Sequence, residues 1–204
     1  MLTDHLVSVQ GNLHRLLQPD GPGGYFGELR SALTGMGLDL GEVEKLLSPV
    51  ALLHDIGKTR EDKEAKIEHP LTHKEVKKRH PVVGLMAAME ILPDEHPEKD
   101  KVLALVDAHD TPFSWYMQAQ KTGQIPNPKS WAKLDRKIDP SEDGSGMVML
   151  VLFKLADVDG HVSVEDACWF VEQANSNYLN QKGKWIPVPT PKDIKRLEQV
   201  SKGE

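Results

Sequence analysis

Two aspartates stand where a carboxylate is hard to keep. Asp55 closes the apolar stretch PVALLHDI, directly after His54, and Asp157 follows the almost wholly apolar run from Met147 to Leu155. An unpaired carboxylate at the end of a buried segment costs several kcal/mol. A divalent cation is the simplest partner that compensates two carboxylates and one or more imidazoles together. Cys168 is the only cysteine, which excludes an intramolecular disulfide and any zinc site built on several thiolates. Hard oxygens with imidazole nitrogens suit a divalent ion of Mn, Fe, Ni, Co or Mg better than a structural zinc. Three more of the nine histidines, His5, His80 and His109, stand at the boundaries of other apolar elements, so the same ion chemistry can recruit them.

Helices are expected to position these groups. Residues 2–17 place Leu2, Leu6, Val9, Leu13, Leu16 and Leu17 on one face. The breaker cluster QPDGPGG follows, then a short helix over 25–36. Ser48-Pro49 reads as an N-cap and first turn, with Gly57 just past the end, so His54 and Asp55 lie on a buried helix. Residues 58–79 mix both charge signs and should run over the surface. His80-Pro81 opens a second apolar helix, stopped by Pro93. Glu98 to His109 is a third, and Pro112 starts a fourth that ends near Gly123. The stretch 124–146, with prolines at 126, 128 and 140, reads as loop. Met147–Leu155 could be a buried strand by its valines, but no comparable second strand is present, so helix is the reading. An amphipathic helix over 161–180, an extended IPVPTP segment and a closing helix carrying Ile194, Leu197 and Val200 complete the chain. The sum is an all-α domain of about seven to nine helices spanning residues 1–204, with a C-terminal extension from about 181.

At this point the residues resemble a family. LLHDIGK around His54, Asp55 and Lys58, then RHPVVG at His80, DAHD at His109 and KLAD at Asp157, are similar in order to the signature of the HD-domain metal-dependent phosphohydrolases. The resemblance covers roughly residues 2–160. It implies a helical core and a mono- or binuclear metal site that hydrolyses phosphate esters, often of nucleotides. Carried over, His54, Asp55 and Asp157 would be ligands of a first metal. His80 and His109 would serve a second metal or touch the phosphate, and Lys58 would face the phosphate. The family's remaining ligand is a histidine on the opening helix. His5 and His14 compete for that place, and His5 lies nearer the centre of the apolar face. The catalytic set is then Asp55, Lys58, His80 and His109.

A divalent ion polarises a phosphoryl oxygen and lowers the pKa of water from about 16 toward about 7. Asp55 or a second ion would orient that water for in-line attack, and the metal and Lys58 would stabilise the equatorial oxygens. Protonated His80, His109 or Lys58 would supply the leaving-group proton. Two alternatives share the scaffold: a diiron oxygenase on the same six ligands, and a non-catalytic nucleotide-sensing domain.

Other residues have plainer readings. His69, His73, His96 and His161 sit in polar surroundings and read as surface, and Asp159 as a solvated turn acid. Trp115-Tyr116 reads as core, and Cys168 as a buried small hydrophobe. Lys121 to Lys137 carries four lysines and Arg136 and reads as a solvated face, with nucleic acid not favoured. At 204 residues, 39% hydrophobic, 27% charged and a net charge of -6, the chain has globular composition and argues against bulk nucleic-acid binding. The start, MLTDHLVSVQ, lacks a basic n-region, and no apolar run approaches the roughly 20 residues of a membrane span. A cytoplasmic protein acting on a small phosphate ester, which that resemblance implies to be a nucleotide, is the expectation.

Overall fold

The structure, a computed structural model, describes residues 1–158 and 164–201, with side chains described through Leu197. His161, Asp159 and Val200, read above, lie outside the described side chains. The order is α1 (Leu2–Leu17), α2 (Tyr25–Gly35), α3 (Leu40–Leu53), a 3-10 turn (Ile56–Thr59), β1 (Asp62–Glu68), β2 (Glu75–Lys78), α4 (His80–Ile91) and α5 (Lys99–Ala108). It continues with α6 (Thr111–Thr122), α7 (Pro128–Ile138), α8 (Ser145–Ala156), α9 (Val164–Asn177), a second 3-10 turn (Leu179–Lys182) and α10 (Pro191–Ser201). Among the described residues the fold is all-α apart from one two-stranded hairpin. Among the described residues no helix is long and apolar enough to cross a membrane.

The central element is α8. Every residue from Gly146 to Ala156 is buried, and α1, α3, α7 and α9 pack around it. The Met147–Leu155 run is therefore helix, as the absence of a partner strand implied. Its first turn has no cap of its own. Asp135 on α7, fully buried, accepts from Gly144 N at 3.0 Å and Met147 N at 2.6 Å, and the Tyr178 hydroxyl donates to it at 2.8 Å. The orphan amides of a buried helix end are thus satisfied from a neighbouring helix.

Three elements differ from the sequence reading. The helix before His54 starts at Leu40, not at Ser48: Asp39 is its N-cap, accepting from Glu42 N at 3.0 Å, and Pro49 lies inside it. Val43, Leu47 and Val50 form one buried face that packs on α1 and continues through the proline, so burial outweighs the lost backbone bond. Ser48 caps nothing; its Oγ accepts from Gln10 Nε2 at 3.0 Å. The charged stretch after Lys58 contains β1 and β2, antiparallel with Ile67 opposite Val76, a largely exposed ribbon whose half-buried face carries only Ala65, Ile67 and Val76 as apolar residues. Residues 128–138 form α7 rather than loop: Asn127 caps it, accepting from Ser130 N at 3.1 Å, and Trp131, Leu134 and Ile138 are buried. An Asn-Pro start with apolar residues at i, i+3 and i+7 was the available signal.

The segment beyond residue 181 folds back. Ile186, Ile194 and Leu197 join the core, α10 packs on α1 and α9, and Tyr25 Oη donates to Pro187 O at 3.0 Å.

Candidate metal centre

Helix ends deliver the site. His54 is the C-cap of α3, His109 of α5 and Asp157 of α8, so three helix C-termini converge. Their partial negative charges favour a cation at the meeting point. His80 is the first residue of α4, and His5 sits near the start of α1. Two close approaches fix the arrangement. A Cβ on Gly57 would collide with His80 O and lie 2.5 Å from Gly84 N, so the 3-10 turn after Asp55 seats flush on α4. Asn12, fully buried on α1, donates to Ala156 O at 2.9 Å and Val158 O at 3.0 Å, gripping the chain on both sides of Asp157.

The six residues form two groups, each with ligand atoms within 4.8 Å of one another: His5, His54 and Asp157, and Asp55, His80 and His109. Asp55 stands between the groups. Its Oδ2 lies 3.1 Å from His5 Nε2 and 3.4 Å from His54 Nε2, and its Oδ1 lies 3.6 Å from the Nε2 atoms of both His80 and His109. One carboxylate oxygen thus faces each imidazole pair. His14, the competitor of His5, is on the exposed side of α1 and meets Glu44 Oε1 at 2.7 Å.

Tautomers show that these nitrogens suit a cation. His54 Nδ1 lies 3.1 Å from Ala51 O and His109 Nδ1 lies 2.6 Å from Val106 O. A carbonyl oxygen only accepts, so each Nδ1 donates, and a neutral ring presents its Nε2 lone pair to the site. Those lone pairs face further imidazole nitrogens and carboxylate oxygens. His5 Nε2 and His54 Nε2 are 3.1 Å apart, and His80 Nε2 and His109 Nε2 are 3.3 Å apart. Asp157 Oδ1 lies 3.4 Å from His5 Nε2 and 3.2 Å from His54 Nε2, yet accepts no hydrogen bond of good geometry. Lone pairs converging on a buried point need positive charge there, either protons or a metal ion.

Without metal, protons fill part of that need. Burial pulls the His54 imidazole down, but Asp157 and Asp55 outweigh it and push it up to about 9. Burial would raise Asp55, yet hydrogen bonding from His109, His5 and His54 holds it far below the usual carboxylate range. Asp157 is likewise held low, mainly by His54 and His5 against its burial. His80 moves the other way, lowered by burial and by the charge of His109. Lys58 Nζ bonds directly to Asp55 Oδ2, and Glu61 Oε2 faces His80 Nδ1 at 3.6 Å.

The donors open into a cleft of about 170 Å³ lined by Asp55, Lys58, His80, His109, Asp110, Phe113, Lys154 and Asp157. A larger hollow of about 270 Å³, lined in part by Val43, Lys101 and Met149, contains none of the six. Chemistry, not size, selects the smaller. Lys154 was missed in the sequence because it lies within an apolar run. The surface reading of His69 is corrected: it is buried, its Nε2 is 3.0 Å from Asp107 Oδ2, and its Nδ1 accepts from Leu71 N and Thr72 N. It ties the hairpin to α5, because Asp107 is brought to it from 38 residues away. Trp115 packs edge-on against Trp131 at 4.7 Å and belongs with the core.

A family model described as the HD domain matches residues 30–143. No curated protein and no solved structure matched the chain. The match spans more than half of the sequence, and the chain belongs to the HD-domain superfamily of metal-dependent phosphohydrolases. His5 and Asp157 fall outside the matched residues, so their place beside His54 rests on the geometry alone.

Proposed function

We propose that this chain is a phosphohydrolase that uses two divalent ions to hydrolyse a phosphomonoester or phosphodiester, with a nucleotide as the substrate class. The observation that carries the reading is Asp55, whose two oxygens face separate imidazole pairs at the floor of a cleft that also holds lysine. His5, His54 and Asp157 would hold one ion, His80 and His109 the other, and Asp55 would be shared. When bound, such ions supply Lewis acidity toward phosphoryl oxygen and a water ionisable near neutral pH.

The chain's own groups do the rest. Asp55, kept ionised by its surroundings, accepts a hydrogen bond from the attacking water and sets its direction. Lys58, with its ammonium half exposed at the cleft, neutralises charge on the equatorial oxygens. The leaving-group proton comes from Lys58 rather than His80, because His80 is pushed toward its neutral form. At about 170 Å³ the cleft is smaller than the roughly 300–1,000 Å³ of sites that enclose a whole ligand. It admits the phosphate head and leaves the remainder outside. Phe113, which lines the cleft and is 40% exposed on α6, offers a flat apolar face to a nucleobase.

The test is a screen of nucleoside monophosphates, cyclic nucleotides and 2′,3′-cyclic phosphates with Mn, Ni, Co, Mg and Fe, beside metal analysis of the wild type and Asp55→Asn. Hydrolysis with about two ions per chain, both lost in Asp55→Asn, is the expected result. Metal content without turnover across the panel overturns the hydrolase assignment. Oxygen consumption by an iron-loaded form would support the oxygenase alternative.

A further inference from the structure

Inside the most buried helix of the protein lies an ion pair that the chemistry above leaves unused. Lys154 on α8 is 2% exposed, and its Nζ lies 2.8 Å from Oδ2 of Asp166, a fully buried residue on α9. Burying two charges is expensive, and apolar residues of similar volume in their place are often neutral or stabilising. Every other residue between Met147 and Ala156 makes the apolar choice. Stability alone therefore gives a weak reason for this lysine. Its position gives a stronger one. Lys154 precedes Asp157 by three residues, nearly one helical turn, so the two share a face. It also lines the same small cleft as Asp55, Lys58, His80 and His109, whereas Asp166 does not. Asp166 thus pairs with the ammonium without itself lining the cavity.

We propose that Lys154 is a phosphate-positioning residue, a second cation set deeper in the cleft than Lys58, and that Asp166 fixes its direction. This rests on the phosphohydrolase reading. The two cations divide the work. The Lys58 side chain is 49% exposed, on the solvent side, and is drawn onto Asp55. Lys154 is walled off from solvent, so its charge acts through low-dielectric surroundings and is little screened by salt. An incoming phosphate would meet its ammonium on the cleft side while Asp166 remains paired with it. Lys154 would then bind substrate and product phosphate alike, so its loss should raise KM more than it lowers kcat.

The experiment titrates inorganic phosphate into Mn-loaded protein by calorimetry, beside metal analysis and melting curves. The double variant Lys154→Met with Asp166→Leu replaces both charges with apolar volume, which avoids stranding a buried carboxylate. Lys154→Gln, keeping an amide to meet Asp166, serves if the double variant fails to fold. The expected result is unchanged metal content, a cooperative melt, and phosphate affinity weakened about tenfold or more, with Lys154→Arg restoring most of it. A folded variant of either kind that binds phosphate as wild type does overturns the proposal and leaves the pair structural. Absence of phosphate binding by the wild type overturns it as well. Turnover of phosphate esters by the wild type is scored separately, so failure of the hydrolase reading is seen apart from failure of this one.

Discussion

At the scale of single residues, the site depends on which nitrogen or oxygen points inward. Its polar side chains are legible because each imidazole or carboxylate interrupts or ends an apolar segment, and His5 stands out from His14 by its place on the apolar face of the opening helix. Lys154 was illegible for the opposite reason: hydrophobic pattern reads straight through one lysine, and its partner Asp166 lies on another helix. Phe113 gives a direct check on substrate class. Phe113→Ala should raise KM for a nucleoside monophosphate by about tenfold, since base–aromatic stacking is worth roughly 1–3 kcal/mol. It should leave KM for glycerol phosphate unchanged, and equal effects on both substrates would remove the base from the outer site. Cys168 tests local electrostatics away from the centre. Burial, with the charge of Glu165, pushes its thiol up to about 11. Only the thiolate attacks, so alkylation of the folded protein should be slow at pH 8 and rise about tenfold per pH unit toward pH 11. Rapid labelling at pH 8, read by mass spectrometry, would contradict that environment.

At the scale of elements, helix ends bring most of the candidate site together, and their alignment hangs on close contacts. Gly57 is the sharpest of these. Gly57→Ala forces the 3-10 turn away from the backbone of His80 and Gly84. A loss of roughly 1–3 kcal/mol in stability is expected from such overpacking. Because Asp55 and His80 move apart with it, metal content should fall in protein that is still folded. A variant with wild-type melting and full metal would show that the turn does not set the spacing. The helices were largely readable from periodicity and proline punctuation. The hairpin was not, since charged residues dominate β1 and β2 and its only apolar residues, Ala65, Ile67 and Val76, make too short an alternation to stand out. Nor was the true start of α3, where a proline that usually opens a helix lies within one because Leu47 and Val50 on either side of it are held in the core.

At the scale of the whole molecule, the centre joins elements that are remote in the chain, and its clustered carboxylates and imidazoles favour added positive charge, from protons or from metal ions. Stripping metal with a chelator should therefore destabilise the entire fold. Resaturation at about a hundred times Kd adds about 2.7 kcal/mol per site, or roughly 5–10 °C in Tm for a chain of this size. Calorimetric scans of stripped and reloaded protein would show it, and superimposable scans would mean that protons alone satisfy the donors. The grip of Asn12 on Ala156 and Val158 carries a consequence for biosynthesis. An imidazole emerging among the first residues from the ribosome waits for a carboxylate that emerges more than 150 residues later. A nascent chain shorter than that lacks Asp157 beside His5 and His54, so that group of donors is complete only after translation through Asp157, whereas Asp55, His80 and His109 are all present by residue 109.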